Sequence, residues 1–323
     1  MAVFSCAALV FAAAVPGYAQ AGQLEDKEIP VSQDFNAIFA QGDFEVTLAK
    51  GTYGVRLTVD KELAPYVEVY VKARTLHFRY NEKEVPKEVK KLYKGKNAPK
   101  PVFRTVVHVP EIESISLEDN ASLTGTGDFV ATRFSLDLTG KSQVKGLTVS
   151  AVSAKVTMKK SALAFLSLRT DNGVEVNMEG SANAKLTVSG KEFAVNAAGS
   201  SIVSASGDTG SLNVSTGGSA QASLSVQGVS KAIINAENSS KVVLSGTGER
   251  LTVRGNKSAN VDAGSFPVRD VEADLTHTAQ VMVNLSGTLD VTLVGGSALY
   301  YTGSPEFKIR KIVKSTLAPL GTK

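Results

Sequence analysis

The fold class this sequence predicts is all-β: a single-stranded, right-handed β-solenoid (β-helix) of about eleven 18–20-residue coils with a strand-rich N-terminal cap. Three observations predict it. Apolar and polar residues alternate, the period of a half-buried strand. One alternating segment recurs at nearly constant spacing from Ile115 to Ile309. Short turns rich in glycine and serine separate the recurrences, as stacked corners with positive φ require.

Composition bounds the answer. The chain has 323 residues, 43% hydrophobic and 20% charged, which supports a large core and excludes a mostly disordered chain. One cysteine excludes a disulfide scaffold and a multi-thiolate zinc site. A net charge of +4 is too small for a nucleic-acid binder.

Residues 1–21 read as a secretory signal peptide. An apolar run from Ala2 to Val15 is broken by Pro16 and Gly17, and Ala19-Gln20-Ala21 supplies a small-x-small cleavage site. No Lys or Arg precedes the run. Cys6 lies in this segment, so a chain cleaved after Ala21 has no cysteine. The expected location is the periplasm, the outer-membrane surface or the exterior. No other stretch approaches the ~20 apolar residues that span a bilayer.

Residues 22–110 read as the cap. Residues 22–34 form a polar arm without periodicity. Strand alternation follows in Asp43 to Leu48, Val55 to Val59, Val67 to Val71 and Leu76 to Tyr80, and again in Phe103 to Val109. Residues 81–101 interrupt it with seven lysines and three glutamates, a net charge equal to that of the whole chain. A short helix is expected from Lys87 to Leu92. Lys87, Lys90, Lys91, Lys94 and Lys96 are a candidate loop for an anionic partner. The plainer reading is a solvated excursion, because only Leu92 and Tyr93 interleave apolar contact.

Residues 111–323 carry the repeat. One apolar column runs Ile115, Phe134, Ala154, Val174, Phe193, Leu212, Ala232, Leu251, Val271, Leu289 and Phe307. A second lies two residues further on, from Leu117 and Leu136 to Val291 and Ile309. A polar residue follows the second column in every repeat. Small turn residues recur at Ser142, Ser161, Ser181, Ser200, Ser219 and Ser239, then apolar ones at Val144, Leu163, Ala184, Ile202 and Ala222. A single coil cannot bury its inner face; stacked coils pair backbones at ~4.8 Å and share one core. The ends need protection, and Lys308, Arg310, Lys311, Lys314 and Pro319 are expected to blunt the far end.

Several segments carry a family resemblance: Phe35-Asn36-Ala37-Ile38, Gly42-Asp43-Phe44-Glu45-Val46, and Val107-His108-Val109-Pro110-Glu111-Ile112. The serial turns Gly180-Ser181, Gly199-Ser200, Gly218-Ser219 and Gly296-Ser297 belong with them, as does the run Leu299 to Pro305. In their order and repetition they resemble the putative auto-transporter adhesin head GIN domain family, over about Phe35 to Leu320. The resemblance implies an exported β-solenoid at the cell envelope of Bacteroidetes-like bacteria, and no catalytic residues to carry over. The chain departs from the pattern in residues 81–101, and at Lys160, Asn238, Lys257 and Lys314, where the pattern has glycine.

Chemistry is sparse. His77, His108 and His277 are isolated, without ligand spacing. Nucleophile-elbow, Walker and dinucleotide motifs are absent. No cofactor, metal or catalytic residue is expected. A polysaccharide lyase or hydrolase is the enzymatic alternative, with Glu272 beside Asp290 and Asp274 beside Arg254 as the acids to consider. The polar column Asn177, Asn196, Ser215, Asn235 and Arg254, which begins at Thr157, is the candidate binding face; its plainer reading is the solvated side of a sheet. The functional expectation is an exported, non-catalytic binding or adhesion module for an envelope or surface glycan or protein, with a structural spacer as the further alternative.

Overall fold

The computed structural model describes residues 22–31 and 34–320. The signal-peptide reading, its cleavage site and Cys6 lie outside the described residues. No helix among the described residues is long and apolar enough to cross a membrane.

The backbone is a β-solenoid, nearly all strand, of about ten stacked turns. Its middle is the most regular part. Gln143–Met158, Leu163–Met178, Asn183–Ala197, Ile202–Thr216, Gln221–Ala236 and Lys241–Gly255 are each one long bent strand, and each pairs in parallel with the next. Each forms two faces, joined at a corner where the register shifts or the chain bulges. Inward side chains of both faces merge into one apolar core that runs the length of the rod.

The two apolar columns stack in register from Phe134 to Phe307 and from Leu136 to Ile309. The first join differs from the sequence reading. Ile115 lies beside Leu136 and Leu117 beside Leu138, a shift of two residues. An even shift keeps the same face inward, so hydrophobic pattern alone cannot distinguish the registers.

Two positions on the other face are also corrected. Ala164, not Leu163, stacks on Val144, and Val203, not Ile202, stacks on Ala184. The larger side chain stands outward in both cases. The reason is the turn. Ala162, Ala182, Ser201, Ala220, Ser240 and Ala259 are buried at its end, one residue beyond most of the serines read from sequence. Only small side chains fit there, and strand alternation counted from them turns Leu163 and Ile202 outward.

Each turn has a left-handed residue at the same place, Asp119, Gly140, Lys160, Gly180, Gly199, Gly218, Asn238, Lys257, His277, Gly296 and Lys314, and Gly295 is left-handed as well. The four departures from glycine therefore keep the glycine conformation. The turns form their own ladder: Ser181 N donates to Lys160 O at 2.6 Å, and Ser200 N and Ser219 N donate to Gly180 O and Gly199 O at 2.7 Å.

At the start of the rod, spatial order departs from chain order. Ala37–Gly42 is sandwiched in parallel between Thr75–Tyr80 and Ser114–Asp119. Glu45–Lys50 is held likewise between Phe103–Val109 and Ser122–Thr126. Antiparallel strands finish this end: Val67–Lys72 on Thr75–Tyr80, and Gly54–Asp60 on Phe103–Val109. The expected polar arm contains a strand, Leu24–Ile29, paired antiparallel with Gly54–Asp60. Its polar sequence shows no buried face, and its partner defines it: Arg56 Nε meets Glu28 Oε1 at 2.7 Å, and Lys61 N donates to Gln23 O at 2.8 Å.

At the far end, among the described residues, Glu306–Val313 pairs only with Thr288–Val294, and Thr316–Pro319 only with Ala298–Thr302. The expected blunting charges are present, yet Lys308 and Arg310 point back to acids of earlier coils. Phe307, Ile309, Ile312 and Val313 remain exposed.

Candidate functional site

The candidate face follows from the inward columns. Val176 and Met178 are buried, so Asn177 between them faces out; Val195 and Ala197 do the same for Asn196, and Ile234 and Ala236 for Asn235. Register then lines up Thr157, Asn177, Asn196, Ser215, Asn235 and Arg254 on consecutive coils. All five predicted residues fall in one column.

Hydrogen bonds fix the start of that column. Asn196 Nδ2 donates to Asn177 Oδ1 at 2.9 Å, and Asn177 Nδ2 donates to Glu175 Oε1 at 2.7 Å. Lys155 Nζ lies 3.3 Å from the same carboxylate oxygen. The Asn177 hydrogen bond, aided by Lys155, holds the Glu175 carboxyl below its ordinary pKa against a smaller opposing effect of burial. The charged pair orients the first amide, which orients the second.

Beside the column runs a groove of about 500 Å³. Asn177, Asn196, Ser215 and Asn235 line one side; Arg254 stands beyond its end. The other side is a row of turn residues: Lys159, Glu179, Ala198, Gly217 and Glu237. Backbone bonds stack that row, with Ala198 N on Met178 O and Gly217 N on Ala197 O, both at 2.9 Å. The groove exists because the row is small in its middle. Long side chains at Lys159, Glu179 and Glu237 flank a gap at Ala198 and Gly217. The sequence reading missed this row, although the small residues were visible there as part of the turns.

The lysine-rich segment lies elsewhere. It contains the expected helix, Lys87–Leu92, and docks through buried Val85 and partly buried Val89 and Tyr93. Asp60, itself buried, accepts a hydrogen bond from Val102 N at 2.8 Å. Burial, with Asp60 nearby, pushes the Tyr93 hydroxyl up to about 12. Lys90 and Lys94 line a cleft of about 780 Å³ with Arg79 and Lys83, but Asp43, Glu82, Glu84 and Asp119 line it too. Lys87, Lys91 and Lys96 do not border it. Five strand layers, ~24 Å, separate this segment's coil from that of Asn177.

The family model for the putative auto-transporter adhesin head GIN domain matches residues 34–173 and 210–305. The chain belongs to this family. Solved structures similar to this GIN-domain chain include a putative adhesin from Parabacteroides merdae, 18% identical, covering 93% of this chain and 97% of that one, with a TM-score of 0.36. A putative adhesin from Parabacteroides distasonis is 16% identical, covering 93% and 98%, with a TM-score of 0.41. A putative lipid binding protein from the same species is 15% identical, covering 93% and 98%, with a TM-score of 0.34. No curated protein matches the chain.

The acids considered for hydrolysis stand far along the GIN-domain rod. Glu272 and Asp290 are in register on adjacent strands. Arg310 lies 2.6 Å from both carboxylates, and Lys308 lies 3.2 Å from Asp290. The Arg310 guanidinium beside it holds the Asp290 carboxyl below its ordinary value, with Lys308 adding to it against the effect of burial. A general acid needs the opposite shift. Asp274 is in register with Arg254, but among the described residues no ion pair joins them. His77 stacks on Tyr70 at 5.0 Å and meets Phe39 at 5.5 Å, and burial lowers its pKa.

Proposed function

We propose that the chain is an exported, non-catalytic binding module of the cell envelope, and that its ligand is a neutral, hydroxyl-rich glycan lying along the Asn177–Asn235 column. One observation carries this reading: four polar residues chosen from sequence periodicity border the same groove, with amides already oriented by a hydrogen-bond chain. Amide and hydroxyl groups repeating at ~4.8 Å suit a polymer whose hydroxyls recur along its length. The exposed Ala198 methyl across the groove offers contact to its carbon-bound hydrogens. Membership of an adhesin-named family supports the same reading.

Gly217 supplies the test. A Cβ there meets no atom within 4 Å, so Gly217→Leu fills the groove without disturbing the coil. On immobilised neutral envelope polysaccharide, the native chain is retained, whereas Gly217→Leu and Asn177→Ala/Asn196→Ala pass through. Equal retention of all three rules out the groove. Lys90→Gln/Lys94→Gln is retained like the native chain; its loss would move the site to the lysine segment.

A further inference from the structure

We propose that the sheet face centred on Phe165 is a second contact surface, fitted to an acidic polysaccharide that carries uronate carboxylates. This face belongs to the first half of each coil, on the other limb from the groove.

Phe165 is 36% exposed in the middle of a sheet. Its in-register neighbours are Lys145 on one side and Lys185 on the other. At two other places on the rod a cation meets an acid from coil to coil: Lys155 pairs with Glu175, and Lys308 with Asp290. Here the position between two lysines holds a phenyl ring instead. Among the described residues, no ion pair engages Lys145, Lys185 or the exposed Arg169 of the same face. The outward residues around them are neutral: Gln143, Thr148, Ser167, Asn183, Thr187 and Ser204. On this limb the acids lie at the borders: Asp128 beside Thr148, Asp208 beside Ser189, and Asp171 two residues beyond Arg169. Ile202, 40% exposed, extends the apolar contact.

The chemistry of the partner follows. Uncompensated cations without an opposing acid call for an anion. Their spacing of two coils, ~10 Å, matches a polymer that places a carboxylate on every second sugar. An exposed ring between them offers apolar contact to the carbon-bound face of a pyranose.

Hyaluronan, with alternating uronate, and polygalacturonate, with uronate at every sugar, are the probes, each alongside its carboxyl-reduced neutral form. The full chain binds immobilised hyaluronan in a salt-sensitive manner and does not bind the neutral form. Lys145→Gln/Lys185→Gln and Phe165→Ala weaken binding about tenfold, with circular dichroism unchanged. Asn177→Ala/Asn196→Ala binds as the native chain does, which separates this surface from the groove. The proposal is overturned if neither acidic polymer is bound, if the neutral forms bind equally, if the lysine variant binds like the native chain, or if Lys90→Gln/Lys94→Gln abolishes binding instead.

Discussion

Replacing Gly207 by alanine tests the stacking geometry at one of its tightest points. Gly207 has φ 142° and lies directly beside Val188 of the preceding coil. A Cβ built there overlaps the Val188 carbonyl oxygen, and Val188 C would lie only 2.9 Å away. Both are backbone atoms, so no rotamer relieves the clash. Two costs add. An L-residue held at this φ costs about 1–3 kcal/mol. Moving the coils apart lengthens hydrogen bonds beyond their working range, and losing two of them costs about 1–3 kcal/mol more. The expected loss is about 4 kcal/mol, a large part of a typical domain's stability. Gly217→Ala is the control: its φ is ordinary and no atom lies within 4 Å of the new Cβ. That change is neutral, or stabilising by up to about 1 kcal/mol, through the unfolded chain. Urea unfolding followed by circular dichroism compares the two. A loss below about 1 kcal/mol at Gly207, or equal losses at both glycines, would refute the argument that coil spacing is set by backbone contact.

The remaining predictions concern the core, the acid pair and the lysine segment. Phe193→Ala, at a position 1% exposed, costs about 3–5 kcal/mol; a urea midpoint matching that of exposed Phe165→Ala would contradict the inward column. Asp290→Asn flattens the acid limb of stability. The native carboxyl is held below its ordinary value, so its contribution is full above the unfolded-state pKa of ~3.9 and is lost as pH falls through the lower folded pKa. Unfolding midpoints between neutral and strongly acidic pH read the difference, and identical slopes would remove Arg310 and Lys308 from the argument. Asp60→Ala leaves Val102 N without its acceptor and costs about 1–3 kcal/mol; trypsin then cuts faster at Lys94 and Lys96, and unchanged cutting would show that Tyr93 and Val85 hold the segment alone.

Much of the architecture was legible in the sequence because periodicity encodes facing. From Phe134 to Leu289 the apolar columns are also the buried stacks, since every inward position there demands an apolar side chain, and Phe307 continues the register on an exposed last coil. The column from Asn177 to Arg254 followed as the outward complement. Legibility failed where a residue's role depends on another segment. Leu24–Ile29 has no buried face of its own, so nothing in its composition marks a strand. Leu163 and Ile202 looked inward by size, but small buried residues before them fix the alternation. The groove wall at Ala198 and Gly217 was visible only as turn composition, because a gap is defined by its flanking side chains.

The sequence by itself determined the repeat length, the inward columns, the glycine corners and the chemistry of the outward strip. These are local properties: each coil specifies its own alternation and turn. Tertiary structure alone decided the register between Ile115 and Leu136, the insertion of Ala37–Lys50 between two later segments, and the distance between the lysines and the amide column. Those depend on which strand edge meets which. A period of two fixes the face a side chain takes, and leaves the neighbouring strand, and any even slip along it, to be settled by packing.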